Sequence, residues 1–138
     1  MTPEQLKQRT KTFGLRCLKV AEAMPRTLSG RTIAGQLARS GTSVAANYRA
    51  ASRARSHRDF ISKIGVFEEE ADETAFWLDL AVEAGVIKST KVCELLAEAG
   101  ELTAIFAASH ITATKSARRA TPGHAPRINQ QSATSTAQ

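Results

Sequence analysis

Cysteine is scarce in this sequence, and its two copies stand in no arrangement that builds a site. Cys17 and Cys93 lie far apart in the chain, whereas zinc sites and dithiol redox motifs pair cysteines a few residues apart. We expect both to be reduced thiols that behave as small apolar residues on helices. The spacing argues against a zinc protein and a dithiol oxidoreductase.

Long apolar runs are absent as well. No segment approaches the ~18 to 20 apolar residues that a membrane-spanning helix requires. Met1-Thr-Pro-Glu-Gln opens a polar, charged segment, and no apolar segment of a secretory signal follows it. We therefore expect a soluble, cytoplasmic protein that makes no contact with a membrane.

Catalytic and metal-binding motifs are also missing. A di-iron site in a helical bundle needs Glu-x-x-His pairs, but the residues three positions before the three histidines are Ala54, Ala107 and Thr121. The sequence has no phosphate-binding Gly-x-x-x-x-Gly-Lys loop, no Gly-x-Ser-x-Gly turn and no His-Glu-x-x-His helix. We expect no catalytic residue, no metal site and no cofactor, and hence a protein that is not an enzyme.

Helical periodicity dominates what is present. Residues 31–82 have the pattern of a helical hairpin with its turn at Ala54–Ser56, because apolar residues recur at three- and four-residue spacing in both arms. These positions are Ile33, Leu37, Val44, Tyr48 and Ala51 in the first arm and Phe60, Ile64, Phe67, Ala71, Leu78 and Val82 in the second. Each arm buries one stripe, so further helices must close the core.

The flanking segments supply those helices. A first helix ends at Pro25, and a fourth begins after Ser89-Thr90 and runs to about Lys115. The sequence therefore predicts an all-α protein, an up-down-up-down antiparallel four-helix bundle of residues 1–115. Residues 116–138 lose the apolar periodicity and are predicted to be a disordered basic tail.

Local signals fix several helix ends. Thr2 followed by Pro3 is typical of a helix start, and Ser56 followed three residues later by Asp59 approximates a capping box. Gly85 is a natural helix stop. Gly41 falls on the buried side of its helix and predicts the close approach of a neighbouring helix.

Charge is segregated along the chain. Residues 1–58 carry twelve Lys or Arg and two acids, residues 59–114 carry three and eleven, and the remainder carries four bases and no acid. The side of the second helix opposite Val44 holds a basic outer stripe of Arg31, Arg39, Arg49 and Arg53. This stripe is either an ordinary solvated face or a polyanion site, and antiparallel pairing about Arg55 places its Arg39 at the level of Asp72 and Glu73.

The third helix carries a second apolar patch, Val66, Phe76, Trp77 and Leu80, which points away from the core stripe centred near Ala71. Large outward aromatic residues usually mark an interface. We expect this patch to bind another copy of the chain.

Residues 36–50 and 53–60, followed by Glu69-Glu-Ala-Asp-Glu and Trp77-Leu, resemble the bacterial four-helix bundle proteins that include the product of the intervening sequence within large-subunit ribosomal RNA genes. The resemblance spans about residues 11–111 and implies a bundle that often forms a pentamer, of mostly unknown function. Many relatives carry Pro at the position of Ala45 and Glu at that of Ala50. A more distant similarity to the accessory protein of diversity-generating retroelements implies nucleic acid and a reverse transcriptase as partners.

Two hypotheses follow. The first is a non-enzymatic homo-oligomeric bundle that binds RNA or DNA through phosphate contacts from Arg31, Arg39, Arg49, Arg53 and the tail. The second is a protein-interaction or structural module whose basic and acidic faces pair between subunits.

Overall fold

The computed structural model describes residues 1–120, which form four α-helices joined by short connections. These are α1 (Pro3–Glu22), α2 (Leu28–Ser52), α3 (His57–Glu83) and α4 (Cys93–Ala120), and one 3-10 turn, Ser89–Lys91, precedes α4. Residues 1–120 contain no β-strand. The prediction of an all-α protein with four helices is confirmed.

Capping explains where α1 and α3 begin. The hydroxyl of Thr2 accepts the N–H of Gln5 at 3.1 Å, and the side chain of Gln5 accepts the N–H of Thr2 at 2.9 Å, which completes a capping box. At α3 the hydroxyl of Ser56 accepts the N–H of Asp59 at 3.1 Å, but the carboxylate of Asp59 accepts the N–H of Arg55 instead of that of Ser56. The predicted box at α3 is therefore half formed.

Two helix ends differ from the predictions. α2 begins at Leu28 because the hydroxyl of Thr27 caps the N–H of Gly30, so the helix starts before the predicted Arg31. α4 continues to Ala120, so the assignment of residues 116–120 to the disordered tail was wrong. Alanine and arginine favour helix, and Arg118 and Arg119 are favourable near a helix C-terminus. The rest of the predicted tail, including Arg127, lies outside the described residues.

Contacts between α1 and α2 show that these helices run antiparallel. The hydroxyl of Tyr48 near the end of α2 donates to the carbonyl of Pro3 at the start of α1, while Gly41 in the middle of α2 faces Cys17. A Cβ on Gly41 would stand 2.5 Å from both Cβ and Sγ of Cys17. The predicted close approach at Gly41 is confirmed.

α3 in turn runs antiparallel to α2. The buried hydroxyls of Ser40 and Thr74 lie 2.9 Å apart, and the rings of Tyr48 and Phe67 meet edge to face with centroids 5.5 Å apart. Phe67 in turn packs against Phe106 of α4 at 4.5 Å. These rings form an aromatic cluster in the core.

The core contains the predicted stripes of α2 and α3 and one face of each of α1 and α4. Both stripes of the hairpin are buried apart from Phe60 and Val82, which are half-buried at its two ends. α1 contributes Phe13, Cys17 and Met24. The core residues of α4 are Val92, Leu95, Ala99, Leu102, Phe106 and Ala113.

Candidate nucleic-acid interface

Arg39, the centre of the predicted basic stripe, is neutralised within the chain. Its Nη2 lies 2.5 Å from Oε1 of Glu73 and its Nη1 lies 3.2 Å from Oε2 of Glu70, while its Nε donates to Gln36. The hydrogen bond from Arg39 lowers the pKa of Glu73, whereas burial outweighs the same arginine at Glu70 and raises the pKa of that carboxyl. The predicted level of Arg39 beside Glu73 is confirmed, and its guanidinium is already paired with two carboxylates of its own chain.

Arg31 is exposed but distant from the rest of the stripe. It lies in the first turn of α2, where its guanidinium donates to the carbonyl of Arg26 at 3.1 Å. At 1.5 Å of rise per residue, Arg31 and Arg49 are about 27 Å apart along the helix. The four predicted arginines therefore do not converge on one site.

Arg49 instead belongs to a groove between α1 and α2. Lys7 and Lys11 of α1 line the same groove, which has a volume of about 480 Å³. Its other lining residues, Thr42, Ala45 and Ala46, are short. Within residues 1–120, Lys7, Lys11 and Arg49 form no ion pair. We call this feature the basic groove.

Close helix packing produces the shape of the basic groove. α1 approaches α2 at Gly14, where a Cβ would stand 3.4 Å from the carbonyl oxygen of Gly41 and 3.8 Å from Cβ of Ala45. The groove is lined by the short side chains of Thr42, Ala45 and Ala46 and by the long cationic side chains of Lys7, Lys11 and Arg49. The charges can therefore reach an anion laid between them.

Two of these residues were missed at the level of sequence. Lys7 and Lys11 are one helical turn apart on α1 and so share a face. The predicted basic stripe included residues of α2 alone, whereas the groove is formed by residues of both α1 and α2. Combining the four-residue spacing of these lysines with an antiparallel α1–α2 pairing would have found them.

Arg53 lies one turn beyond Arg49 as the C-cap of α2. It is exposed and forms no ion pair with any residue in 1–120. It is free to bind an anion.

The predicted apolar patch is split by the fold. Phe76 and Val66 are 55% and 41% exposed. Trp77 and Leu80 are half-buried and pack against the core, and the indole Nε1 of Trp77 donates to Glu73 at 3.2 Å. The expectation that all four point away from the core was wrong for Trp77 and Leu80, because the packing of α3 turns them partly inward.

Groups suited to catalysis or metal binding are not assembled in the described part of the chain. No three His, Cys, Asp or Glu side chains of residues 1–120 are placed to hold a metal ion. Nε2 of His57 lies 2.8 Å from the carbonyl of Ala113, and Nδ1 of His110 lies 3.4 Å from Oε2 of Glu68. Burial raises the pKa of the Cys17 thiol to about 12, which leaves it unreactive at neutral pH. None of the helices in this range is both long and apolar enough to cross a membrane.

The family model described as 23S rRNA-intervening sequence protein matches residues 4–108. This chain belongs to the 23S rRNA-intervening sequence protein family. A solved structure agrees with the assignment: a protein of unknown function from the S23 ribosomal protein family of Bacteroides thetaiotaomicron has a TM-score of 0.73 and 26% sequence identity, over 80% of this chain and 98% of that one. No curated protein matches this chain. The resemblance to the intervening-sequence proteins noted in the sequence is thereby confirmed.

The family match places the candidate residues in two groups. The basic groove and Arg53 lie inside the region shared with the 23S rRNA-intervening sequence protein family, as do Val66 and Phe76. The last twelve residues of α4, from Ser109 to Ala120, lie beyond it. Features built on the end of α4 therefore belong to this chain and are not carried by the family match.

Proposed function

We propose that this member of the 23S rRNA-intervening sequence protein family is a non-enzymatic, homo-oligomeric four-helix protein that binds the phosphate backbone of RNA or DNA through its basic groove. The observation that carries the proposal is the convergence of Lys7, Lys11 and Arg49, all without a carboxylate partner in residues 1–120, on one groove. The family's name, which refers to an intervening sequence of 23S rRNA, supports nucleic acid as the polyanion.

The chemistry of the groove favours backbone contacts over base reading. Its charged groups are two ammonium ions and one guanidinium, which bind phosphates and displace counterions. The hydroxyl of Thr42 is already bonded to the carbonyl of Ala38 at 2.7 Å, and the groove has no aromatic lining residue. Binding through it would therefore show little sequence preference.

The test is the salt dependence of binding, measured by fluorescence anisotropy with labelled RNA and DNA of mixed sequence and protein freed of nucleic acid. The variant Lys7→Gln/Lys11→Gln/Arg49→Gln removes three cations of the groove. If each contacts a phosphate, the slope of log affinity against log salt falls by about 2 to 3, because each contact contributes about 0.7 to 0.9.

A matched control removes the same charge elsewhere. Arg26, Lys88 and Lys91 lie in or beside the connections at the other end of the bundle and are exposed, so Arg26→Gln/Lys88→Gln/Lys91→Gln should bind nearly as the wild type does. Equal weakening of both variants would mean that net charge alone drives binding. Absence of binding by the wild type at low salt would reject the proposal.

A second observation supports the homo-oligomer and the rival reading of a protein-interaction module. The outer face of α3 combines the exposed Val66 and Phe76 with acids that form no ion pair within residues 1–120, namely Glu69, Asp72, Asp79 and Glu83. A basic, partly apolar surface would complement it, and α1 offers one outside the basic groove in the exposed Leu15 and Lys19. We propose that copies of the chain associate through these faces, with the pentamer of the resemblance as the expected size.

A further inference from the structure

One end of the bundle carries a dense group of cations that the basic groove does not include. The α2–α3 connection contributes Arg53 and Arg55, the first turn of α3 contributes Arg58, and the last turns of α4 contribute Lys115, Arg118 and Arg119. All six are exposed, and none forms an ion pair within residues 1–120. We call this set the basic end.

Chain geometry brings the two groups together. Nε2 of His57 lies 2.8 Å from the carbonyl of Ala113, so Ala113 is level with the first residue of α3. α4 then continues for seven residues to Ala120, which extends it about 10 Å past the start of α3. This projecting arm carries Lys115, Arg118 and Arg119 at the same end of the bundle as the α2–α3 turn.

Few carboxylates balance the basic end. Asp59 lies in the first turn of α3, but its carboxylate already accepts Nζ of Lys63 at 3.1 Å. On α4 no acid follows Glu101 within the described residues, and Glu4 is the acid in the first turn of α1. The positive potential at this end is therefore largely uncompensated.

Helix stability does not account for the whole set. Cations near the C-termini of α2 and α4, such as Arg53 and Arg118, interact favourably with the helix dipole. Arg58 instead lies in the first turn of α3, where a positive side chain is unfavourable. Arg55 lies in the turn itself, where its backbone N–H donates to the carboxylate of Asp59. The side chains of Arg55 and Arg58 are exposed and form no ion pair within residues 1–120, so both are available to an external anion.

The opposite end of the molecule lacks this bias. There Arg26, Lys88 and Lys91 alternate with Glu22 and Glu83 around the α1–α2 and α3–α4 connections. The opposite end therefore carries a more even mixture of bases and acids than the basic end.

The basic end offers little platform for unpaired bases. Its exposed ring is the imidazole of His57, whose Nε2 is already within 2.8 Å of the carbonyl of Ala113, and the neighbouring Phe60 is half-buried against the core. Phe76, which is also exposed, lies some five turns along α3 from its start. Proteins that hold single strands stack bases on aromatic rings, whereas contacts to phosphates alone favour the higher linear charge density of a double helix.

We infer that the basic end binds the phosphate backbone of a double-helical nucleic acid, and that the same duplex continues into the basic groove. The inference rests on the proposed function and adds to it the form of the nucleic acid and a second contact surface. Arg49 in the groove and Arg53 at the basic end are one helical turn apart, about 6 Å along α2, so the two surfaces are continuous. The projecting arm of α4 supplies contacts that the groove alone does not have.

The test compares duplexes of about 20 base pairs, or two helical turns, with single strands of the same length. Anisotropy titrations of the full chain between about 50 and 200 mM salt use the wild type, the groove variant and an arm variant, Lys115→Gln/Arg118→Gln/Arg119→Gln. The control is Arg26→Gln/Lys88→Gln/Lys91→Gln at the opposite end, which removes the same charge. Circular dichroism confirms that each variant keeps its helices.

The wild type should bind the duplex about tenfold or more tightly than the single strand, and the arm variant should lose about 2 to 3 units of the salt slope on the duplex. The control should stay within about twofold of the wild type, because net charge at a distance is screened. Equal or tighter binding of the single strand would overturn the inference of a double helix. Equal behaviour of arm and control variants would overturn the assignment to the basic end.

The two proposals fail in different ways. If the groove variant binds normally and the arm variant does not, the basic groove is rejected and the basic end stands. If the arm variant binds normally and the groove variant does not, the basic end is rejected and the basic groove stands. If the wild type binds neither form at low salt, both are rejected.

Discussion

Nη2 of Arg39 lies 2.5 Å from Oε1 of Glu73, and this ion pair joins α2 to α3 at the bundle surface. We predict that Arg39→Gln leaves nucleic-acid affinity within about twofold of the wild type, because the guanidinium already serves two carboxylates of its own chain. The free energy of unfolding should fall by no more than about 1 kcal/mol, since the pair is half exposed. Urea unfolding and anisotropy titration measure the two effects.

Arg49→Gln is the matched comparison, because Arg49 lies on the same helix but has no partner in residues 1–120. It should weaken binding and leave stability nearly unchanged. The reverse assignment, with Arg39→Gln abolishing binding, would restore Arg39 to the nucleic-acid site.

Packing at Gly41 makes a stability prediction. Gly41→Ala would place a Cβ 2.5 Å from Cβ and Sγ of Cys17, and Cβ of Cys17 is fixed by the α1 backbone. α1 and α2 must separate to admit the methyl group, at a cost of about 1 to 3 kcal/mol. Thermal or urea unfolding of the variant measures this loss.

Gly35→Ala is the control on the same helix. Gly35 is exposed and its Cβ would have no neighbour within 4 Å, so alanine should stabilise the helix by up to about 1 kcal/mol. If both alanine variants changed the free energy of unfolding in the same direction, the claim that α1 and α2 pack too closely at Gly41 to admit a methyl group would be rejected.

Acid should weaken the link between α1 and α4. Nε and Nη2 of Arg9 bind the carboxylate of Glu98 at 2.8 and 2.5 Å, and these hydrogen bonds lower the pKa of Glu98. A carboxyl whose folded pKa is lowered stabilises the fold above its unfolded pKa, about 4.3 for glutamate. That contribution disappears as the pH falls through the folded pKa.

Glu98→Gln should therefore be less stable than the wild type by about 1 kcal/mol at pH 7, and the gap should close as the pH approaches about 3. Urea midpoints across this pH range provide the measurement. Glu69→Gln, on the exposed face of α3 and without an ion pair in the described residues, should show no such gap. A deficit in Glu98→Gln that persists unchanged at pH 3 would contradict the charge-based account.

The helices and the core could be predicted from sequence because the physics that sets them is local. Apolar spacing marked the buried face, as at Leu37 and Phe106, which are both fully buried. A hydroxyl ahead of an apolar run marked the starts of α1 and α3 at Thr2 and Ser56. The end of α4 was misplaced because alanine and threonine near it weaken the apolar pattern without opposing helix.

The candidate site could be predicted only in part, because the ion pairs that a side chain forms depend on which helix packs beside it. On a helical wheel Arg39 and Arg49 fall on the same outward side of α2. In the structure Arg39 pairs with an acid of α3, whereas Arg49 lines a groove with two lysines of α1. The same limit applies to Trp77, whose indole donates to Glu73 and packs against the core. A helical wheel gives the direction of a side chain but not the element that it meets.

Assembly can be tested at the two apolar side chains of α3 that remain outward. Val66→Glu/Phe76→Glu should reduce the mass measured by light scattering and preserve the helical circular dichroism signal, because both residues are exposed in the single chain and charges are costly in an apolar contact. Leu28→Glu is the control, since Leu28 is 77% exposed in the first turn of α2, away from the proposed faces, and should leave the mass unchanged. A wild type that is already a monomer at micromolar concentration would reject both self-association and the pentamer. In that case the acids around Phe76 would favour a different protein with a basic, partly apolar surface as the partner of α3.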